Sequence, residues 1–288
     1  MNYFTCRRLC IAKDLDLGKI GAMKTPLTVA PLAATLFCCA CATTTGEQSD
    51  FGRAGLSSDT GTTAYGTFEV EAGFEADPGD RRAIPLTLKF GHSEFTELYM
   101  DWSVYEKVAL PGDDGEGVGD LGVGVRHRYW EGASGTSAGL QGFIKFPTGD
   151  EDEGTSNGKL DFFAASMVTQ EFSNLTLNGF FQLGVIGDAI DDDTDVERTI
   201  AVSWGAPTGL GLETFGEVSR RFTDDLDPSY LLFGLAFQNS STTVFDFGVS
   251  LGLNSDASED AFFVGVTTNL GILGPQGPSV YREPGSGY

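Results

Sequence analysis

GVGDLGVGVRHRYW, residues 117–130, opens with a letter-for-letter match to the dinucleotide fingerprint G-x-G-x-x-G and runs on with a period of two. The two readings lead to different folds. A phosphate cradle needs a strand before the glycines and a helix after them, because the helix N-terminus supplies the amides that hold a pyrophosphate. Before the glycines stands ALPGDDGE, a loop signal, and after them Val123, Val125, His127 and Tyr129 alternate with Gly124, Arg126, Arg128 and Trp130. That is strand periodicity. The stretch reads as a glycine-rich loop entering a strand, and no cofactor is implied.

The same period extends in both directions. Phe68, Val70, Ala72 and Phe74 alternate with Thr67, Glu69, Glu71 and Gly73; Leu98, Met100, Trp102 and Val104 oppose Glu97, Tyr99, Asp101 and Ser103. Twelve such segments are predicted, at about 64–75, 82–92, 94–105, 119–131, 137–147, 159–171, 174–187, 196–206, 209–222, 229–238, 242–253 and 260–270. Most are longer than the typical strand of about 5–6 residues and approach the roughly 9–11 that cross a bilayer when tilted. Long connections such as KVALPGDDGEGV and TGDEDEGTSNG alternate with short ones such as GASGTS and PTG. Long and short loops therefore fall on opposite ends of one sheet. With an even strand number, this predicts a single all-β, antiparallel up-and-down transmembrane β-barrel with short periplasmic turns and longer acidic external loops.

A half-buried sheet of a soluble protein alternates too. The apolar parity here is nearly free of charge, while the other carries Glu69, Glu71, Glu97, Asp101, Arg126, Arg128, Lys145, Glu213, Glu217, Arg221, Lys89 and Asp246. A membrane barrel keeps such ions in its lumen. The first ten of these are the candidate lumen and constriction residues. Acidic members on early strands fall near basic members on the next, so they either pair and close the interior or stand free and filter ions. Trp102, Tyr129, Phe146 and Trp204 lie near segment ends and are candidates for interfacial girdles.

Charge and export agree with this reading. The chain has 41 acidic and 18 basic residues, a formal charge of −23. Such a surface repels phosphate backbones, which argues against nucleic-acid partners. All five cysteines (Cys6, Cys10, Cys38, Cys39, Cys41) precede Ala42, and MKTPLTVAPLAATLFCCACA from Met23 has a lysine, an apolar stretch and an A-x-A site. This predicts a secretory signal cleaved after Ala42, with the true start at Met23 favoured over a long leading region. A lipoprotein signal acylated at Cys41 or Cys39 is the alternative. The expected organisation is a signal region over 1–42, a flexible periplasmic leader over 43–62, the barrel over 63–270 and a periplasmic tail over 271–288.

Other motifs dissolve in context. Gly135-Thr136-Ser137-Ala138-Gly139 matches the G-x-S-x-G elbow, but both histidines, His92 and His127, precede it, and parity sets His127 and Ser137 on opposite faces. No enzymatic activity is expected. The acidic clusters Asp150–Glu153 and Asp191–Asp195 fit no EF-hand spacing. They predict solvated loops, with loose divalent-cation binding as the alternative; no metal site is assigned.

GVGDLGVGVRHRYW followed by GLQGFIKFPTGD resembles the exported β-barrel family named for the meta-cleavage pathway of phenol degradation, through Gly119-Asp120 and through Lys145, Pro147, Thr148, Gly149 and Asp150. The resemblance implies a Gram-negative outer-membrane transporter for small, often aromatic or hydrophobic compounds, and carries no catalytic residues. The expected function is passive uptake of such solutes, the alternative a non-conducting barrel with an ion-pair-filled lumen. Expected partners are outer-membrane lipid, a small solute and the outer-membrane assembly machinery. The final segment is followed by GILGPQGPSVYREPGSGY, a departure from barrels that end on a terminal aromatic strand.

Overall fold

A computed structural model describes residues 55–77, 81–109, 114–187, 194–209, 211–224, 226–257 and 260–272. Among them are thirteen strands: β1 Thr67–Asp77, β2 Arg81–Ser93, β3 Thr96–Ala109, β4 Asp114–Gly117, β5 Leu121–Glu131, β6 Thr136–Phe146, β7 Asp161–Phe172, β8 Leu175–Gly187, β9 Thr194–Gly209, β10 Leu212–Phe222, β11 Ser229–Ser240, β12 Thr243–Gly252 and β13 Ala261–Ile272. Each is antiparallel to its neighbours. The sheet closes because β1 pairs with β13 on one side and with β2 on the other, while β2 pairs with β3. Twelve strands form the barrel. The thirteenth, β4, was not expected; it pairs only with the far end of β3, from Glu106↔Gly117 to Ala109↔Asp114. The wall resumes where Trp102 of β3 pairs with Leu121 of β5.

The faces are inverted relative to a soluble sheet. Leu183, Val202 and Phe247, in mid-strand, are 44%, 54% and 50% exposed, while Glu69, Glu97 and Glu217 of the other parity are 1%, 0% and 4% exposed. An apolar band turned outward on a closed barrel matches a hydrocarbon surround, where every backbone group must be paired within the protein. Trp102 and Phe146 face outward near the long-loop end, Tyr129 and Trp204 near the short-turn end, as interfacial girdles require. Placing a charge on this band is expected to be costly. Val202→Arg should destabilise the barrel by about 2–4 kcal/mol, read as a lower midpoint in the heat-induced mobility shift on a denaturing gel. The same change at lumen-facing Gln182 should leave the shift nearly in place.

The lumen is not uniformly polar. Phe215, Leu232, Ala236, Val244 and Phe263 form one buried apolar cluster on the inner face of β10–β13, and Ala165, Met167, Phe180 and Ala201 form a second on β7–β9. Both sit on the parity that carries the charged residues.

The expected flexible leader requires correction over 55–62. These residues run along the inner wall and are held by buried groups. Glu217 accepts from the amides of Leu56 (2.9 Å) and Ser57 (3.1 Å) and from the Ser57 hydroxyl. The Thr60 amide donates to the Thr169 hydroxyl at 3.1 Å, and its Oγ1 lies 2.6 Å from Ser137 Oγ. Glu97 accepts from the Thr63 amide (2.7 Å) and hydroxyl (2.6 Å). A small polar stretch carries few apolar groups but many backbone donors, and buried carboxylates facing it supply the acceptors. Residues 43–54 and 273–288 lie outside the described residues, as does the cleavage site at Ala42.

Candidate functional site

One side of the lumen stays open. Two adjoining cavities of ≈ 330 and ≈ 360 Å³ share Tyr99, Asp101, Gln141, Phe143 and Lys145 on their walls. Together they make a cleft along the inner face of β2, β3 and β5–β9, opposite the apolar cluster of β10–β13. Volumes in this range suit small solutes.

The floor of the cleft is aromatic. Tyr99 and Phe143 stack with centroids 5.9 Å apart and planes 9° apart, and Phe143 meets Phe163 at 5.7 Å. These rings lie flat because glycines stand beneath them. A Cβ at Gly124 would come within 2.2 Å of the Tyr99 ring, at Gly122 within 2.0 Å of Phe143 and at Gly184 within 2.6 Å of Phe163. Rings covering sheet glycines restore the packing that a missing side chain forfeits. In GVGDLGVGV the glycines therefore make room on a pore wall. Sequence reasoning missed Phe143 and Phe163, although both share the parity of Gln141 and Lys145, and Gly124 stands opposite Phe143 and Gly184 opposite Phe163.

The candidate charges occupy the same wall, mostly in pairs. Lys89 lies 2.6 Å from Glu71 and 3.7 Å from Glu69. Arg126 is 3.8 Å from Glu97, donates to the Gly61 carbonyl at 3.2 Å and to Gln141 at 3.3 Å, and sits 6.0 Å over the Tyr99 ring. Arg221 is 3.5 Å from Glu197. Arg128 lies apart at the short-turn rim, 3.5 Å from Glu131 and 5.5 Å over Phe95. Glu217 is occupied by the inner segment, whereas Glu213 sits near the short turn over Gly205. Asp101 stands opposite Thr87 of β2 and has no ion pair among the described residues. The serine of the elbow-like motif contacts Thr60 inside the barrel, while His127 is exposed on the outer face beside Thr96 at 2.9 Å. The two are on opposite sides of the wall.

At the long-loop end the two halves of the family-like motif interlock. The Gly119 carbonyl accepts from Trp102 Nε1 and from the Thr148 hydroxyl, both at 3.1 Å, and Asp120 accepts from the Gly149 amide at 3.1 Å. Lys145 bridges Asp120 at 3.1 Å and Asp161 at 2.7 Å. A Cβ at Gly119 would fall 2.8 Å from that of Ser103, and one at Gly149 would fall 2.5 Å from the Thr155 carbonyl, so the close approach needs glycine at both. Asp150 caps the Asp152 amide at 2.9 Å, and Glu153 accepts from Glu116 at 3.1 Å. Among the described residues no group of three or more His, Cys, Asp or Glu is placed to hold a metal ion; residues 191–193 of the second acidic cluster lie outside them.

A family model described as "Putative MetA-pathway of phenol degradation" matches residues 51–270, more than half of the chain. The chain belongs to this family. Its match spans both the interlocked motif and the inner segment from Gly55. No curated protein matches the sequence. Among solved structures, the fold is similar to an outer membrane channel from Pseudomonas putida F1, at TM-score 0.59 and 8% identity over 73% of this chain and 98% of that one. It is also similar to the NanC porin (TM-score 0.53, 9% identity, 70% and 98% covered) and the KdgM porin (TM-score 0.51, 9%, 69% and 98%). At such identities the likeness is one of fold: a β-barrel of the outer-membrane porin type.

Within the family motif, Lys145 carries the most contacts between charges. Lys145→Met would leave Asp161, 1% exposed, and Asp120 facing each other without their shared cation. Removing one partner of a buried pair costs several kcal/mol, reduced here because Lys145 keeps a quarter of its side chain exposed. The expected loss is roughly 2 kcal/mol, measured as a lower thermal midpoint by circular dichroism in detergent.

Proposed function

We propose that the protein is a passive outer-membrane channel for small solutes, aromatic or hydrophobic ones among them. The observation that carries this reading is the open cleft: a continuous wall of charged, amide and aromatic groups inside a barrel whose outer face is apolar. Its long acidic loops face the exterior and its short turns face the periplasm, reached through the N-terminal signal. Acidic loops raise the local concentration of cations over anions at the mouth. Glu69, Glu71, Glu97, Asp101, Arg126, Lys145, Glu217 and Arg221 shape the constriction, and no residue acts as a catalyst. Purified protein in planar bilayers is the test: discrete current steps are expected, and their absence from heat-modifiable, folded protein would sink the proposal.

A second reading draws on the ion pairs. Lys89, Arg126 and Arg221 each face a carboxylate, and residues 55–63 occupy part of the lumen, which favours a closed barrel that serves as a scaffold. The same recording separates the two.

A further inference from the structure

The cleft contains an asymmetry of charge. Each base on its wall is matched: Lys89 by two carboxylates, Lys145 by two, Arg126 and Arg221 by one each. Asp101, the one carboxylate that both cavities share, has no ion pair among the described residues. It borders both cavities together with Phe143, and Phe163 continues the aromatic floor in the second. The rings lie against glycines, so their free faces turn toward the cleft.

A ring face carries the negative end of its quadrupole, and a carboxylate beside it adds a full negative charge. A solute that is flat and cationic satisfies both: its ammonium faces the carboxylate, and its body lies on the rings. A flat anion meets repulsion from the same groups, and a flat neutral molecule gains only the stacking. We propose that the cleft is a binding subsite for single-ring organic cations, with Asp101 as the counter-ion and Phe143 and Phe163 as the stacking surface. This rests on the reading of the cleft as a solute pathway and narrows its solute class.

Three probes of equal size and different charge test it: benzylammonium, benzyl alcohol and benzoate, each titrated calorimetrically into the full mature barrel in detergent. Benzylammonium is expected to bind about tenfold more tightly than benzyl alcohol, about 1.4 kcal/mol by the tenfold rule, and benzoate most weakly. Asp101→Asn should erase the preference for benzylammonium over benzyl alcohol. Phe163→Leu, which keeps an apolar side chain, should weaken benzylammonium several-fold and serves if the Asp101 variant does not assemble. Benzoate binding as tightly as benzylammonium, or a preference that survives both substitutions, overturns the inference. Bilayer recordings run in parallel keep the two claims apart. Current that no benzylammonium concentration blocks, with no calorimetric binding, overturns the subsite and leaves the channel standing. Selective binding without current supports the subsite and removes the channel.

Discussion

Deleting residues 55–63 is expected to raise the single-channel conductance several-fold. This stretch crosses the lumen from Glu217 on β10 to Glu97 on β3, and its Gly61 carbonyl meets Arg126 on β5. It therefore narrows the bore from three sides. It is held by hydrogen bonds to the wall, since small polar residues have little apolar area to bury. Removing it frees the faces of Glu217, Thr169, Ser137 and Glu97, all of which water can then solvate. The deletion thus widens the bore without orphaning a polar group. In twelve-stranded barrels the lumen lies between the filled eight-stranded and the open sixteen-stranded case, so one strand-width of chain is a large share of the section. Planar-bilayer recording of both proteins at one salt concentration measures the change, and equal conductances would place the segment outside the conducting path.

The second large effect is on stability. Glu97 is 0% exposed, accepts two hydrogen bonds from Thr63 and faces Arg126, itself 5% exposed. Glu97→Ala takes the carboxylate from a buried guanidinium and the acceptor from a buried amide and hydroxyl. Breaking a buried pair in this way costs about 3–5 kcal/mol. The barrel should unfold at lower temperature, and residues 55–63 should become cleavable by protease in the folded protein. Glu97→Gln keeps an acceptor for Thr63 but still strands Arg126; it should protect the segment from cleavage while remaining less stable than the parent. Protection equal in the Ala variant would show that Thr63 is held by other contacts.

The strands were legible because period two persisted over more than ten residues at a time, and the barrel because long and short connections alternated. Parity alone set Trp102 and Phe146 on the apolar face of their strands. The face assignment itself needed coordinates: alternation is identical for a core and for a lipid-facing band, and the buried Glu69, Glu97 and Glu217 decide between them. The inner segment was illegible for a physical reason. Its wall partners are 32 to 161 residues away in sequence, and a small, polar, aperiodic stretch reads as solvated unless its acceptors are known. β4 escaped because four residues with two glycines show no period. The aromatic floor was obscured by the rule that lumen faces are polar; Phe143 and Phe163 break it, and the opposing Gly124 and Gly184 are the cue that a ring could lie flat there. For the arginines that follow the glycines in residues 117–130, the answer is pairing: Arg126 with Glu97 across the wall, Arg128 with Glu131 on its own strand.

Cysteine accessibility tests the central claim, an inside-polar barrel with one open and one filled side. The sequence suits it, since residues 42–288 carry no cysteine, and a protein expressed without residues 1–41 lets each introduced cysteine report alone. Cysteines at Gln141, Phe163 and Gln182 should react rapidly with a charged, membrane-impermeant thiol reagent added to protein in vesicles. Those at Leu232, Ala236 and Val244 should react slowly, and those at Leu183, Val202 and Phe247 only with an apolar reagent that partitions into lipid. Rapid reaction of the charged reagent at Val202 and Phe247, with protection at Gln141 and Gln182, would reverse the faces and contradict the account.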